Sequence, residues 1–437
     1  MPWLTVVLVV IVLSFVGVLL SSRLRISYTI VMIAIGFFLS LFRLAGGLST
    51  IPLDRSTILG LVVPPLIFEA SMRTRYKDFK ASRRTVLSLA IFGVIISALV
   101  TGLVLRIALG LPLAVALTFG VIVSPTDPVS VVNLLKRTKA PRQLTTILET
   151  EAYFNDATAV ILYPIAISLT FSPLQSATLF AYTLGGGVII GLVVSGMAEL
   201  LHSLVTEPLA ETYFTIAVMF GSFILAESLG ASGLIAVAIA GLYMGNRTMR
   251  TAMSKETRTT VIKFWEVVTF VVTSFAFLLL GLKVDPSLLV PFAPFIIAAF
   301  IAILLARVAS VYPIVTLAGL IGERIPNSWK GILAAAGLRG VISVALALSL
   351  PDNFPHRDTI VAMTFGVALM SLILQGELLQ AYLKRQRFGH RAENSSSATK
   401  PLRRRTAIPG NSKYPCGLSG WSTVCRSGTS SFFVIPT

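Results

Sequence analysis

Between Leu148 and Pro164 the chain reads LETEAYFNDATAVILYP, placing Glu149, Glu151, Asn155 and Asp156 at the head of an apolar run long enough to cross a bilayer. An ionisable side chain inside a membrane costs roughly 2.5–3.5 kcal/mol on insertion scales, so such a cluster marks a functional site. On a helix, positions 152, 155 and 156 share a face. Asn155 and Asp156 therefore project together, with Ala152 one turn behind them. Glu149 is shallow enough to sit among solvated headgroups, whereas at about 1.5 Å of rise per residue Asp156 lies well below the surface. Loss of water disfavours the charged form of a carboxylate. Proton and monovalent cation would then compete for one anion, and a bundle that reopens only when that anion is neutralised would exchange them.

Three further stretches carry polar chemistry inside apolar segments. Ser124-Pro125-Thr126-Asp127-Pro128 sets a proline pair around an acid. Proline removes a backbone donor and frees a carbonyl of the preceding turn, and broken backbone at membrane depth is tolerated only where it is buried or lines a cavity. Transporters place midplane ion sites at such interrupted helices; a plain proline kink beside a protonated acid is the simpler alternative. Pro64-Pro65-Leu66-Ile67-Phe68-Glu69 brings another carboxylate near a helix end, within snorkelling reach of the headgroups. Gly337-Leu338-Arg339-Gly340 puts a guanidinium about ten residues from either end of its apolar run, where it needs an anion or carbonyls. Glu151 or Glu149 is the natural anion, and the flanking glycines permit close helix approach. Arginine does not release a proton at workable pH, so a structural ion pair is the expected role.

These residues require a scaffold of spanning helices. With 55% hydrophobic residues, 13% charged residues and a mean hydropathy of +0.85, the composition is that of an all-α polytopic membrane protein. Apolar stretches of spanning length fall near 3–21, 26–44, 56–71, 85–108, 112–135, 147–170, 176–201, 211–229, 232–246, 261–282, 290–320, 329–350 and 358–383, about thirteen in all. The apolar start lacks the basic n-region and small-residue cleavage site of a signal peptide, so it reads as the first span.

A formal net charge of +17 is of the size seen in nucleic-acid-binding chains, but here the basic residues sit in short loops and the tail. Arg23 and Arg25, Arg73 to Arg84, Lys136 to Arg142, and Arg247 to Arg258 mark alternate loops; the intervening loops hold little beyond Arg55, Lys283 and Arg357. This alternation predicts an external N-terminus and a cytoplasmic C-terminus. Residues 1–385 form the membrane domain, and 386–437 read as a basic, disordered tail whose Arg403–Arg405 cluster suits anionic headgroups. Cys416 and Cys425 lie in that tail and give neither a disulfide framework nor a zinc site. His202, His356 and His390 form no ligand set, and no GxxxxGK[ST] loop supports an ATP-driven pump.

Phe68-Glu69, Thr126-Asp127-Pro128, Glu151 with Phe154-Asn155-Asp156, and Gly337-Leu338-Arg339-Gly340 stand in the order and spacing of a known family. Over roughly residues 1–385 the chain resembles the monovalent cation:proton antiporters of the NhaP and sodium/proton-exchanger type. The resemblance implies thirteen helices with inverted repeats, crossed discontinuous helices five and twelve, and a homodimer in a bacterial-type plasma membrane. It implies that Asp156 exchanges cation for proton, that Asp127, the Thr126 carbonyl and Glu69 line the site, that Asn155 ties helices five and six, and that Glu151 pairs with Arg339. Asn before the key Asp implies electroneutral exchange. Relatives usually carry a small hydroxyl residue where this chain has Ala152, which bears on affinity and on sodium against potassium, because hard cations want oxygen ligands in place of water.

The expected function is therefore secondary-active Na+/H+ antiport, with K+/H+ antiport in the same fold as the alternative. A cation channel or ion sensor would need a continuous polar path or a carbonyl filter, and a membrane enzyme a nucleophile–base pair or histidine ligands. Neither is evident. The expected partners are monovalent cations, protons and the lipid bilayer, with no cofactor.

Overall fold

The computed structural model describes residues 2–24, 26–42, 58–127, 131–132, 134–135, 138, 140–168, 172–202, 207–284, 289–323 and 325–385. Among these every regular element is helical. In chain order they are α1 (Pro2–Leu24), α2 (Tyr28–Leu41), α3 (a π-turn over Ile58–Val62 running into Val63–Arg73), and α4 (Tyr76–Ser88, a π-turn over Leu89–Gly93, then Val94–Leu109). There follow α5 (Leu113–Ile122), α6 (Arg142–Ile167), α7 (Pro173–His202), α8 (Pro208–Ser228), α9 (Gly233–Tyr243, extended by a π-turn over Met244–Thr248), α10 (Lys255–Leu282) and α11 (Ala293–Leu320). The last are α12 (Asn327–Ala335), α13 (Val341–Leu348) and α14 (Arg357–Met370, a π-turn over Ser371–Gln375, then Gly376–Arg385). The expected tail from 386 onward, Arg25, Arg55, Pro128, Lys136, Arg137 and Lys139 lie outside the described residues.

Among the described residues six helices are long and apolar enough to cross a membrane. The outer faces are what lipid requires: Ile189 and Leu192 on α7 and Ile301 and Leu305 on α11 are exposed, as are Leu8, Ile11 and Phe15 on the shorter apolar stretch of α1. With lipid outside, association between helices rests on close van der Waals approach and interhelical hydrogen bonds rather than on hydrophobic exclusion. The α2–α10 pair is the clearest case. A Cβ added at Gly36 would fall on the Leu278 carbonyl oxygen, and one added at Gly281 would fall on that of Ile33. The two glycines let backbone touch backbone.

The fourth predicted span begins earlier than expected. Residues 76–84, rich in Lys and Arg and read as loop, are helical. Ser82 breaks the helix with φ −128° and ψ 16°, which strips the next amides of their partners. Glu323, just beyond α11, accepts from the Arg84 and Thr85 amides at 2.9 Å each and from the Thr85 hydroxyl at 2.8 Å. The charged segment is thus a separate helical turn set against the bundle, and the apolar span starts near its predicted place behind a cap supplied from afar.

Candidate functional site

α5 stops at Ile122 because two prolines follow. Pro125 and Pro128 lack an N–H, which orphans the carbonyls four residues back, at Val121 and Ser124. The Ser124 hydroxyl donates to the Val121 carbonyl at 2.7 Å and to that of Gly120 at 3.1 Å. Arg339 Nη1 donates to the Ser124 carbonyl at 2.7 Å and to the Pro125 carbonyl at 3.4 Å. The second break, between α12 and α13, is matched to the first. The Leu338 carbonyl accepts from the Asp127 amide at 2.7 Å, and the Arg339 amide donates to Ser371 Oγ at 3.0 Å. Gln375 Nε2 donates to the Ala335 carbonyl at 2.9 Å, so the π-turn of α14 holds the second break from behind. Gly340 is where the segments cross: a Cβ there would lie 2.9 Å from that of Asp127.

α6 passes this crossing with its polar residues at that depth. Asp156 is 3% exposed, Asn155 2% and Thr126 5%. The Thr126 amide donates to the Asp156 carboxylate, while Asp156 Oδ1 is buried without a hydrogen-bond partner. Asn155 Nδ2 lies 3.4 Å from Thr126 Oγ1 and 3.4 Å from Glu151 Oε1, joining α6 to the broken fifth segment.

The expected partner of Glu151 is corrected by the structure. Arg307, in the middle of α11, meets Glu151 with Nη1 to Oε1 at 2.8 Å and Nη2 to Oε2 at 2.9 Å, and both residues are buried. Its Nε lies 3.3 Å from the Leu333 carbonyl at the end of α12. Arg339 instead turns Nη1 to the Ser124 and Pro125 carbonyls of the first break, and its buried Nε has no hydrogen-bond partner. The reason is helical phase: five residues separate Glu151 from Asp156, so at 3.6 residues per turn they project roughly 140° apart. Asp156 faces the crossing, and Glu151 faces α11. Arg307 was open to the argument applied to Arg339, since it too is a lone guanidinium deep in an apolar run.

A cavity of about 290 Å3 reaches Asp156 from the end of the bundle where α3 finishes and α6 and α10 begin. Its wall takes Glu69 and Arg73 from α3, Thr126 and Asp127 from the first break, Glu149, Tyr153 and Asp156 from α6, and Glu266 from α10. Glu69 pairs with Arg73, whose Nη2 lies 3.5 Å from Glu266. The four predicted cation ligands (Asp156, Asp127, Thr126 and Glu69) therefore share one cavity, and Glu151, Asn155 and Arg339 stand behind it. Glu149, which the sequence allows among headgroups, is in the wall. Ala152 is buried and is not part of the wall; its neighbour Tyr153 is. Tyr153 was not singled out from sequence, although its offset of three residues from Asp156 places it on the same face.

Two interrupted helices crossing beside buried carboxylates at the inner end of a cavity define a secondary ion transporter. The chain belongs to the family described as sodium/hydrogen exchanger, transmembrane, whose pattern it matches over residues 10–385. It is 33% identical over 372 residues to the Na(+)/H(+) antiporter ApNhaP of Aphanothece halophytica, covering 83% of this chain and 70% of that protein. It is 35% identical over 353 residues to the Na(+)/H(+) antiporter NhaP of Pseudomonas aeruginosa, covering 77% and 82% respectively. The fold is similar to that of the sodium proton antiporter MjNhaP1 from Methanocaldococcus jannaschii, with a TM-score of 0.71, 23% identity, and coverage of 89% of this chain and 100% of that one.

Proposed function

We propose that this protein is a secondary-active, electroneutral Na+/H+ antiporter in which Na+ and H+ bind Asp156 in turn. The observation that carries the reading is Asp156 itself: a buried carboxylate with Oδ1 unpartnered, at the inner end of a cavity, beside crossed unwound segments. Cations entering the cavity pass Glu69, Glu149 and Glu266 before reaching Asp156. Asp127 and the Thr126 backbone supply further oxygens. Neither buried arginine is hydrogen-bonded to Asp156: Arg307 pairs with Glu151, and Arg339 donates to the Ser124 and Pro125 carbonyls. Binding of either Na+ or H+ cancels the charge on Asp156, and a neutral site can cross between access states at lower electrostatic cost.

With the N-terminus outside, the cavity opens to the cytoplasm. Residues 1–385 form the transport domain, 386–437 a cytoplasmic tail, and the working unit is a homodimer in the plasma membrane, as the resemblance implies.

The test is reconstitution into vesicles with an internal pH dye. Adding Na+ outside should drive protons out and raise internal pH, with K+ much less effective, and clamping the membrane potential should leave the rate unchanged. No pH response to any monovalent cation would overturn the reading.

A further inference from the structure

Three of the other side-chain hydroxyls in the cavity wall are tied to partners of their own. Thr126 Oγ1 faces Asn155 Nδ2, the Thr269 hydroxyl donates to the Trp265 carbonyl at 2.9 Å, and Tyr28 shares a hydrogen bond with Ser274. Thr269 and Tyr28 belong to α10 and α2, apart from the helix that carries Asp156. Tyr153 is different. It lies on α6 one turn before Asp156, on the same face, and both residues line the cavity. Tyr153 is 4% exposed, and Glu69, Arg73, Glu149 and Asp156 line the same cavity. Along α6 it lies between Glu149, four residues before it, and Asp156, three residues after it, on one face of the helix.

We propose that the Tyr153 hydroxyl is a specificity-determining oxygen of the cation path, contributing a neutral ligand that favours Na+ and Li+ over K+ as they reach Asp156. The proposal rests on the antiport reading above. A phenol is suited to both loaded states, since it accepts through its lone pairs and donates through its O–H. Toward a cation it presents oxygen; toward a bare carboxylate it presents hydrogen. Smaller cations hold water more tightly and bind each close oxygen more strongly, so one missing ligand penalises Na+ and Li+ more than K+. Because Tyr153 and Asp156 share one rigid helix, the spacing between them is kept when α6 moves.

The experiment compares wild type, Tyr153→Phe and Asp156→Asn in the vesicle assay with Na+, Li+ and K+. Phenylalanine keeps the ring and its packing and removes only the oxygen. Tyr153→Phe should raise the KM for Na+ and Li+ by about five- to tenfold, the size expected for one polar contact, while maximal rate stays within about twofold and K+ moves little. An unchanged KM for every cation in Tyr153→Phe would overturn the proposal, as would an equal rise for Na+ and K+. Either result, with wild type exchanging and Asp156→Asn inactive, leaves the antiport reading standing; loss of exchange in wild type itself would instead sink that reading.

Discussion

Asp156→Asn is expected to abolish cation-driven proton movement, bringing vesicles to the level of protein-free controls, at normal yield and with an unaltered fold. The side chain keeps its shape, and its amide oxygen can still accept from the Thr126 N–H that now bonds the carboxylate. What disappears is the charge. Without it the inner end of the cavity keeps Asp127 as its one acid and loses the unpartnered carboxylate oxygen that takes Na+ and H+ in turn, while Glu69, Glu149 and Glu266 lie outside the crossing. Exchange near the wild-type rate in this variant would remove Asp156 from the mechanism.

The largest effect on stability is expected at Arg307. Arg307→Ala leaves Glu151, 1% exposed, without two charge-assisted bonds. Breaking one side of a buried pair typically costs about 3–5 kcal/mol, while replacing both partners by neutral groups of similar volume is often harmless. Thermal unfolding in detergent should therefore drop sharply for Arg307→Ala and recover for Arg307→Met combined with Glu151→Gln. A double-mutant cycle separates the two arginines: Glu151 should couple strongly to Arg307 and weakly to Arg339. Coupling to Arg339 alone would contradict the observed pairing.

Much of the site could be read without coordinates. Asp156 follows from a carboxylate placed too deep to be solvated, and the crossing follows from Pro125 and Pro128, whose missing donors demand an external partner for freed carbonyls. Arg339 was recognised from its depth, and carbonyls were one of its two allowed partners. What sequence could not supply was the pairing itself. The five-residue offset turns Glu151 away from Asp156, but which arginine it then meets depends on how α6 packs against α11, a contact between residues far apart in the chain. Arg307 carries the same signal of depth as Arg339 but lacks the flanking glycines that single out Arg339. The cap from Glu323 onto Thr85 joins residues far apart in the chain, so the helical character of 76–84 stayed hidden behind its charge. Ala152 drew attention as a missing oxygen, whereas the wall is formed by the longer side chain beside it.

The central claim is that Na+ and H+ occupy the same carboxylate in turn, and it is tested most directly by proton release. Na+ is added to purified protein in weakly buffered detergent solution at a pH where Asp156 is protonated, and the protons set free are counted with a pH dye while the heat of binding is recorded. The account predicts a proton released per Na+ bound in wild type, with neither release nor heat in Asp156→Asn. Na+ binding to wild type with no release of protons at any pH would contradict it.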